Sequence, residues 1–383
     1  MRKAIKIKGM GVVSSCGTGA SALVERMRAG QGSCRSGASF PVSFGAGIRL
    51  NQFDPDKYPR NDALADAVIS ASIDEALGDA GLDRNSSWLS DAALIVGASG
   101  MLYDAEIIYN REKSGTKPAP VAVRGPGRET TAIAARLGIK GPVMTVTTAC
   151  TSSANALMLA AGMIRRKEVT KALVIGIEVL SAFTLSGFYS LMLLSRCRPF
   201  DATRRGIQLG EACAAMLLEA DDEMDGNVTL CGWANSCDTH NVISTNVDGV
   251  FIAKVMEDAL SSAGITAKEI ACVKAHGTGS ADNDATEVMA MRLLFGNDLP
   301  PYTGLKGYIG HTLGAGGAVE TTAFFKALSA GFIPATLGFK DVDPALRSAP
   351  LFAPIEAKPG YYMANFFGFG GNNTSLVFRY GKV

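Results

Sequence analysis

Short apolar runs of strand length alternate along this chain with amphipathic stretches of helical period. Met1 to Gly9 alternates charge with apolar residues, the pattern of a strand rather than of a signal peptide with a continuous apolar region, and Ala4 to Val13 reads as that strand. From Asp62 to Asp79, Leu64, Val68, Ile69, Ile73, Ala76 and Leu77 recur near period 3.6, which predicts a helix with Ser72 on the same face. Ala92 to Gly97 and Val143 to Thr148 read as buried strands, Thr151 to Arg166 as a helix, and Ala172 to Ile177 as another buried strand. In the second half, Ile252 to Ser262 reads as a helix with Ile252, Val255, Met256, Ala259 and Leu260 on one face, and Ile270 to Ala275 as a strand. Such alternation predicts parallel sheets covered by helices. The longest apolar stretch, Ala172 to Leu194, contains Glu178 with several Ser and Gly residues, so it is expected to be a buried strand and a loop, not a membrane span.

The chain echoes itself. Ala76-Leu-Gly-Asp-Ala-Gly-Leu82 resembles Ala259-Leu-Ser-Ser-Ala-Gly-Ile265, each a helix end before a linker and a short apolar strand. Cys150 and His311 form a second echo, each preceding a helix rich in small residues. Two echoes in the same order favour duplication, with a boundary at the polar stretch 221–226. The expected halves are residues 1–222 and 223–383.

Composition narrows the class. The 383 residues are 47% hydrophobic and 19% charged with a net charge of +1, so the chain is not disordered and carries no general electrostatic footprint for nucleic acid or acidic membranes. None of the eight cysteines forms a C-x-x-C pair, and most sit among apolar or small residues, as buried free thiols of a reducing cytosol do. Glycine is abundant at 43 residues, while three histidines leave few addresses for imidazole chemistry.

Those addresses have punctuated surroundings. In Thr145-Val-Thr-Thr-Ala-Cys-Thr-Ser-Ser-Ala-Asn155, Cys150 stands where a β-branched strand turns into a helix of small residues. A helix N-terminus favours a thiolate, so its thiol pKa is expected to be lowered, and the free N–H groups can hold an oxyanion. The alternative is a buried cysteine filling a strand end. His276 lies in Lys274-Ala-His-Gly-Thr-Gly-Ser280, with Thr278 and Ser280 offering hydroxyls. Asp284 and Glu287 follow, three apart on one helix face, placed to cap that helix or join an ion network. His311 lies in Lys306-Gly-Tyr-Ile-Gly-His-Thr-Leu-Gly-Ala-Gly-Gly, too glycine-rich for helix propensity alone, with Lys306 and Glu320 as an expected buried ion pair. His240 lacks such punctuation and reads as structural or peripheral. Asn365-Phe-Phe-Gly-Phe-Gly-Gly-Asn-Asn373 alternates Phe and Gly, which suits either a gate with backbone N–H groups or a hairpin with buried aromatics.

Together these residues resemble the beta-ketoacyl-[acyl carrier protein] synthases, the decarboxylating condensing enzymes of the thiolase fold. Ile7-Lys-Gly-Met-Gly-Val-Val-Ser14 is similar to the family's opening strand, Thr148-Ala-Cys-Thr-Ser-Ser153 to its nucleophile motif, and Arg198 to Glu211 to the segment that walls its active site. His276-Gly-Thr-Gly, Lys306 with His311, Glu320, and Gly368-Phe-Gly-Gly371 match its remaining motifs in order. The chain departs from the family at Ser280-Ala281 (usually Thr-Pro), Ala212-Cys213-Ala214 (often Gly-Ala-Gly), Asn372-Asn373 (Thr-Asn) and around His240. It is also somewhat short between Gly100 and Pro142 and around Asn241. These departures hint at a specialised pathway rather than housekeeping fatty-acid elongation.

The resemblance implies an α/β fold of five layers, αβαβα, made of two duplicated thiolase-like halves. It makes Cys150 the acyl acceptor, His276 and His311 the donors to a malonyl-derived enolate, and Lys306 their catalytic companion. Backbone N–H groups of Cys150 and Phe369 would form the oxyanion hole, with Phe369 and Phe367 at the gate. Thr278 and Ser280 would meet the pantetheine arm, and Asp284, Glu287 and Glu320 would support the site. The 4'-phosphopantetheine comes with the carrier protein, so no cofactor of the enzyme's own and no metal are implied. The implied partner is acyl carrier protein, loaded with acyl or malonyl groups, with Arg60, Arg124, Arg128, Arg204 and Arg205 as candidate docking residues. A cytoplasmic homodimer is expected, buried at the helix after Cys150 and the strand after Lys171, or a heterodimer with a related subunit. The rivals are a non-catalytic chain-length partner, a thiolase and a cysteine hydrolase. The intact Cys-His-His set argues against the first, the lack of a cysteine in residues 365–373 against the second, and the Lys306 motif against the third.

Overall fold

A computed structural model describes residues 4–32, 47–48, 50, 62–99, 114–115, 127–221, 227–241 and 246–382. The expected boundary stretch 222–226, Arg60 and Arg124 lie outside them. The architecture rests on β1 (Ala4–Ser14), β2 (Ala93–Gly97), β3 (Val143–Val146), β4 (Lys171–Glu178), β5 (Ala212–Asp221), β6 (Val228–Cys237), β7 (Ile270–Lys274), β8 (Tyr302–Thr303), β9 (Gly360–Phe367) and β10 (Asn372–Tyr380). The first half runs in the spatial order β3-β2-β4-β5-β1 and the second in the order β8-β7-β9-β10-β6. Counted within each half, both read third, second, fourth, fifth, first. The echoes in the sequence are therefore a repeated topology. The two arrays meet where β1 pairs antiparallel with β6 at Ile5–Leu230 and Lys6–Thr229.

The expected parallel sheets are in fact mixed. β2 runs parallel to β3 and β4, but β5 is antiparallel to both β4 and β1. In the second half β10 is antiparallel to β9 and β6. The connection from β9 to β10 is only a tight Gly368–Gly371 turn, and a turn that short joins antiparallel neighbours alone.

Five layers follow from which faces are apolar. Alternate residues of β2 and β4 (Ile95, Val174) face a central core, and their neighbours (Leu94, Val96, Leu173, Ile175) face an outer one. α1 (Asp62–Asp79) covers the outer face of the first sheet through Val68, Ile69 and Ile73. α2 (Ser152–Arg165) and the glycine-rich helix Gly316–Ser329 form the central layer. Between them in sequence come α3 (Ala182–Ser190), α4 (Val250–Ala263) and α5 (Ala281–Phe295); the glycine-rich helix is α6. α4 and α5 close the far side with Ile252, Val255, Met256 and Met291.

α2 and α6 approach at backbone distance. A methyl group at Gly317 would fall 2.1 Å from the Ala154 nitrogen, so this glycine is required by helix–helix packing and not by a ligand. Two further expectations change here. Ala172 to Leu194 is not a strand and loop: after β4 the chain forms α3, capped by the Ser181 side chain on the Thr184 N–H. The helix after Cys150 and the strand after Lys171 are apolar because they lie inside this chain, α2 in the central layer and β4 between β2 and β5. No helix among the described residues is long and apolar enough to cross a membrane.

Candidate active site

Cys150, His276 and His311 come from three separate segments and line one cavity of about 250 Å³, with Thr278, Ser280, Phe367 and Phe369 also in its wall. The predicted cysteine and both histidines thus surround a single space, while Lys306 is not in its wall.

Cys150 is reached through Ala149, whose φ of +52° turns the chain sharply before α2 begins. The sulfur is buried, and the backbone N–H groups of Phe369 and of Cys150 itself are directed at it. Burial nevertheless pushes the thiol up to about 11, against the pull of the Phe369 N–H and the Lys306 charge, while the Glu178 carboxylate pushes it further up. The expected lowering is therefore corrected: desolvation of the thiolate outweighs the Phe369 N–H and the Lys306 charge.

The two imidazole rings meet edge to face with centroids 5.3 Å apart. Burial first, and the Lys306 charge second, hold both well below the usual imidazole pKa. Neutral rings are donors on one nitrogen and acceptors on the other. The Lys306 ammonium sits 3.3 Å from His276 Nδ1 and 2.6 Å from its carbonyl oxygen. An ammonium can only donate, so Nδ1 carries a lone pair and the ring proton lies on Nε2. On His311 the buried Nδ1 has no partner among the described residues, while the backbone N–H of His311 donates to the Gln208 backbone carbonyl at 2.6 Å.

The expected ion pair is a triad. Glu320 lies 2.6 Å from Lys306 and 2.8 Å from Lys274, whose ammonium also donates to the Asn365 carbonyl at 3.0 Å and stands 3.7 Å from the Phe366 ring centre. Burial pushes Lys274 down to about 8, and the two ammoniums hold Glu320 below the usual carboxylate range.

Asp284 and Glu287 do not cap α5; Asp284 joins a buried ion network with Arg204 at 4.0 Å, which also pairs with Asp343. Glu287 accepts the N–H groups of His276 and Gly277 at 2.7 and 2.9 Å, and Asp284 accepts those of Thr278, Gly279 and Phe200 at 3.0, 3.2 and 2.7 Å. They therefore hold the His276 loop in shape. Ser280 supplies the α5 cap, its hydroxyl accepting from the Asn283 N–H, and also accepts from the Thr278 hydroxyl at 3.1 Å.

The loop Gly368–Gly371 is both of its expected alternatives: a hairpin turn, and a wall of the cavity. Phe369 is half-buried and stacks on Phe188 at 5.6 Å, while buried Phe367 contacts the His276 ring at 5.5 Å. Gly371 has a φ of +75°, and a methyl group there would lie 1.7 Å from the Asp238 carbonyl oxygen, so only glycine serves. His240 is exposed beside that contact, as a peripheral residue should be.

Arg204 is not a docking residue. It is buried and bonded to Asp343 at 2.6 Å and to the Asp201 carbonyl at 3.0 Å. Arg205 is exposed at the cavity rim, and Arg128 is exposed elsewhere.

Sequence reasoning missed three participants. Lys274 gave only a charge within an apolar strand. Glu178 is buried and raised to about 7 by that burial, and accepts from the Ser99 hydroxyl at 2.6 Å and the Gly314 N–H at 3.1 Å. Asn373 is buried in the cavity wall, and its Nδ2 has no partner among the described residues.

Comparison with known proteins decides the lineage. Residues 48–224 match the family model for the beta-ketoacyl synthase N-terminal domain, and residues 228–340 match that for the C-terminal domain. The chain belongs to the beta-ketoacyl synthase family. Over 99% of its length it is 29% identical to all of Nodulation protein E from Rhizobium sp. (strain N33). Over 98% of its length it is 28% identical to 89% of the chloroplastic 3-oxoacyl-[acyl-carrier-protein] synthase I from Hordeum vulgare. The solved ishigamide ketosynthase/chain length factor is similar over the whole of both chains, with a TM-score of 0.90 and 28% identity. The thiolase-like architecture expected from the sequence is thus that of a ketosynthase.

Proposed function

We propose that this beta-ketoacyl synthase catalyses the decarboxylating condensation of an acyl group with malonyl carrier protein to give a 3-oxoacyl carrier protein. One observation carries the reading: a cysteine with N–H donors at its sulfur shares a small cavity with two imidazoles held neutral. The Cys150 sulfur attacks the thioester carbonyl of an acyl carrier protein, and the N–H groups of Cys150 and Phe369 stabilise the oxyanion. The pantetheine thiolate leaves and takes up the thiol proton. Malonyl carrier protein follows, its arm passing Thr278 and Ser280 at the cavity wall. As the bond to carbon dioxide breaks, its electron pair moves into an enolate whose oxygen accepts from His276 Nε2–H and from His311. The enolate carbon attacks the acyl-Cys150 carbonyl, and the Cys150 thiolate leaves and is reprotonated. Neutral donors suit this step, because they bind charge that exists only after decarboxylation begins.

The intact Cys150, His276 and His311 favour catalysis over a non-catalytic chain-length role, and the ketosynthase/chain length factor relative keeps that role as the second reading. The edge strand β3, with Val143 exposed, is where a second subunit would extend the sheet, as a homodimer or with a related chain. His311→Ala separates the half-reactions. It is expected to retain acyl transfer to Cys150 and to lose carbon dioxide release from malonyl carrier protein by at least about a hundredfold. Equal loss of both steps in a folded variant contradicts the assignment.

A further inference from the structure

The Asn372 side chain departs from the family's usual threonine and ties two parts of the site together. Its Oδ1 lies 2.6 Å from the Thr151 hydroxyl, 2.8 Å from Asn155 Nδ2 and 2.9 Å from Asn235 Nδ2. Thr151 follows Cys150 directly as the N-cap of α2, and Asn155 lies in the first turn of that helix. Asn235 belongs to β6 and bonds Asn155 Oδ1 at 3.1 Å, and the Thr374 hydroxyl meets the same oxygen at 2.7 Å. On the loop side, the Asn372 carbonyl accepts the Gly368 N–H at 2.9 Å, closing the turn that aims the Phe369 N–H at the Cys150 sulfur. Three donors from two elements thus converge on one amide oxygen at the base of the turn, the Thr151 hydroxyl sharing its single proton with the Thr148 carbonyl at 2.7 Å. A threonine hydroxyl is shorter and cannot hold the same three donors through a planar carbonyl.

We propose that Asn372 is a positioning residue that latches the Phe369 turn to the nucleophile helix, fixing the oxyanion N–H and resisting displacement of the Phe369 ring from the Phe188 stack. The inference rests on the proposed condensing chemistry for its kinetic consequence, but the latch itself is read without turnover. When the latch is released, the Phe369 ring leaves the mouth more often and bulky reagents reach Cys150. The N–H also spends less time at the sulfur, so acyl transfer slows at saturating substrate.

The test compares Cys150 modification by a bulky aryl maleimide and by iodoacetamide, followed by intact mass. Their rate ratio cancels any change in thiol ionisation and reports access alone. Asn372→Ala is expected to raise that ratio at least about fivefold and to lower kcat for acyl transfer about tenfold with KM within about twofold. Asn372→Asp keeps the accepting oxygen but loses the Nδ2 that donates to Asn235 Oδ1 at 3.3 Å, and is expected to bring the ratio part of the way back toward the parent's. Should Asn372→Ala not fold, Asn235→Ala removes one donor from an exposed position and is expected to raise the ratio by a smaller factor. An unchanged ratio in a folded Asn372→Ala, or in Asn235→Ala if the former does not fold, overturns the latch. A wild-type chain that never condenses, with the ratio still rising, would overturn the proposed function and leave the latch standing.

Discussion

The Lys306 ammonium donates to the backbone carbonyl of His276 at 2.6 Å while facing Glu320 at 2.6 Å. One cation therefore fixes the place of a catalytic candidate and balances a buried carboxylate. Lys306→Met removes both. It leaves Glu320 with Lys274 alone and frees the His276 carbonyl in the core. A loss of about 3–5 kcal/mol in unfolding free energy is expected, as for a broken buried pair, measurable by denaturant titration. A loss below about 1 kcal/mol would show that Lys274 carries the Glu320 charge by itself.

Glu178 makes a signed pH prediction. Its folded-state pKa is raised from 4.5 to about 7 by burial. The native state then binds more protons than the unfolded state between those values, so this group stabilises at low pH and its contribution is lost as pH rises through about 7. His276 and His311, held low, act in the opposite direction, so the group must be isolated by difference. Between about pH 4 and pH 8 the stability of the parent relative to Glu178→Gln is expected to fall by about 3 kcal/mol. A difference independent of pH would mean that the carboxyl titrates normally.

The Cys150 thiol is equally testable. With its pKa pushed up to about 11, the alkylation rate by iodoacetamide should climb about tenfold per pH unit from about pH 7 to pH 9. A plateau in that range would restore the low-pKa thiol that the helix N-terminus alone suggested.

Much of this was legible in local pattern. The periodicity of Leu64, Val68, Ile69 and Ile73 marked α1 with its observed ends, and strand–turn–helix punctuation marked Cys150. α3 was missed because Ala182–Ser190 is mostly apolar or small on every side and so carries no amphipathic period. The Cys150 pKa was misjudged because a sequence shows the helix terminus but not the depth of burial. Lys274 and Glu178 stayed silent for a related reason. Each is a charge at the end of an apolar strand, and its partners, Glu320 for one and Ser99 with Gly314 for the other, lie far off in sequence. The Asn372 network, gathered from Thr151, Asn155, Asn235 and Thr374, has no local signature at all.

The most direct test of the central claim is the site of acylation. Purified protein is incubated with an acyl carrier protein and digested, and the acylated peptide is identified by mass spectrometry. The account predicts an acyl group on Cys150, absent in Cys150→Ala and discharged as 3-oxoacyl carrier protein when malonyl carrier protein is added. Acylation of another cysteine, or condensation by Cys150→Ala, would contradict it.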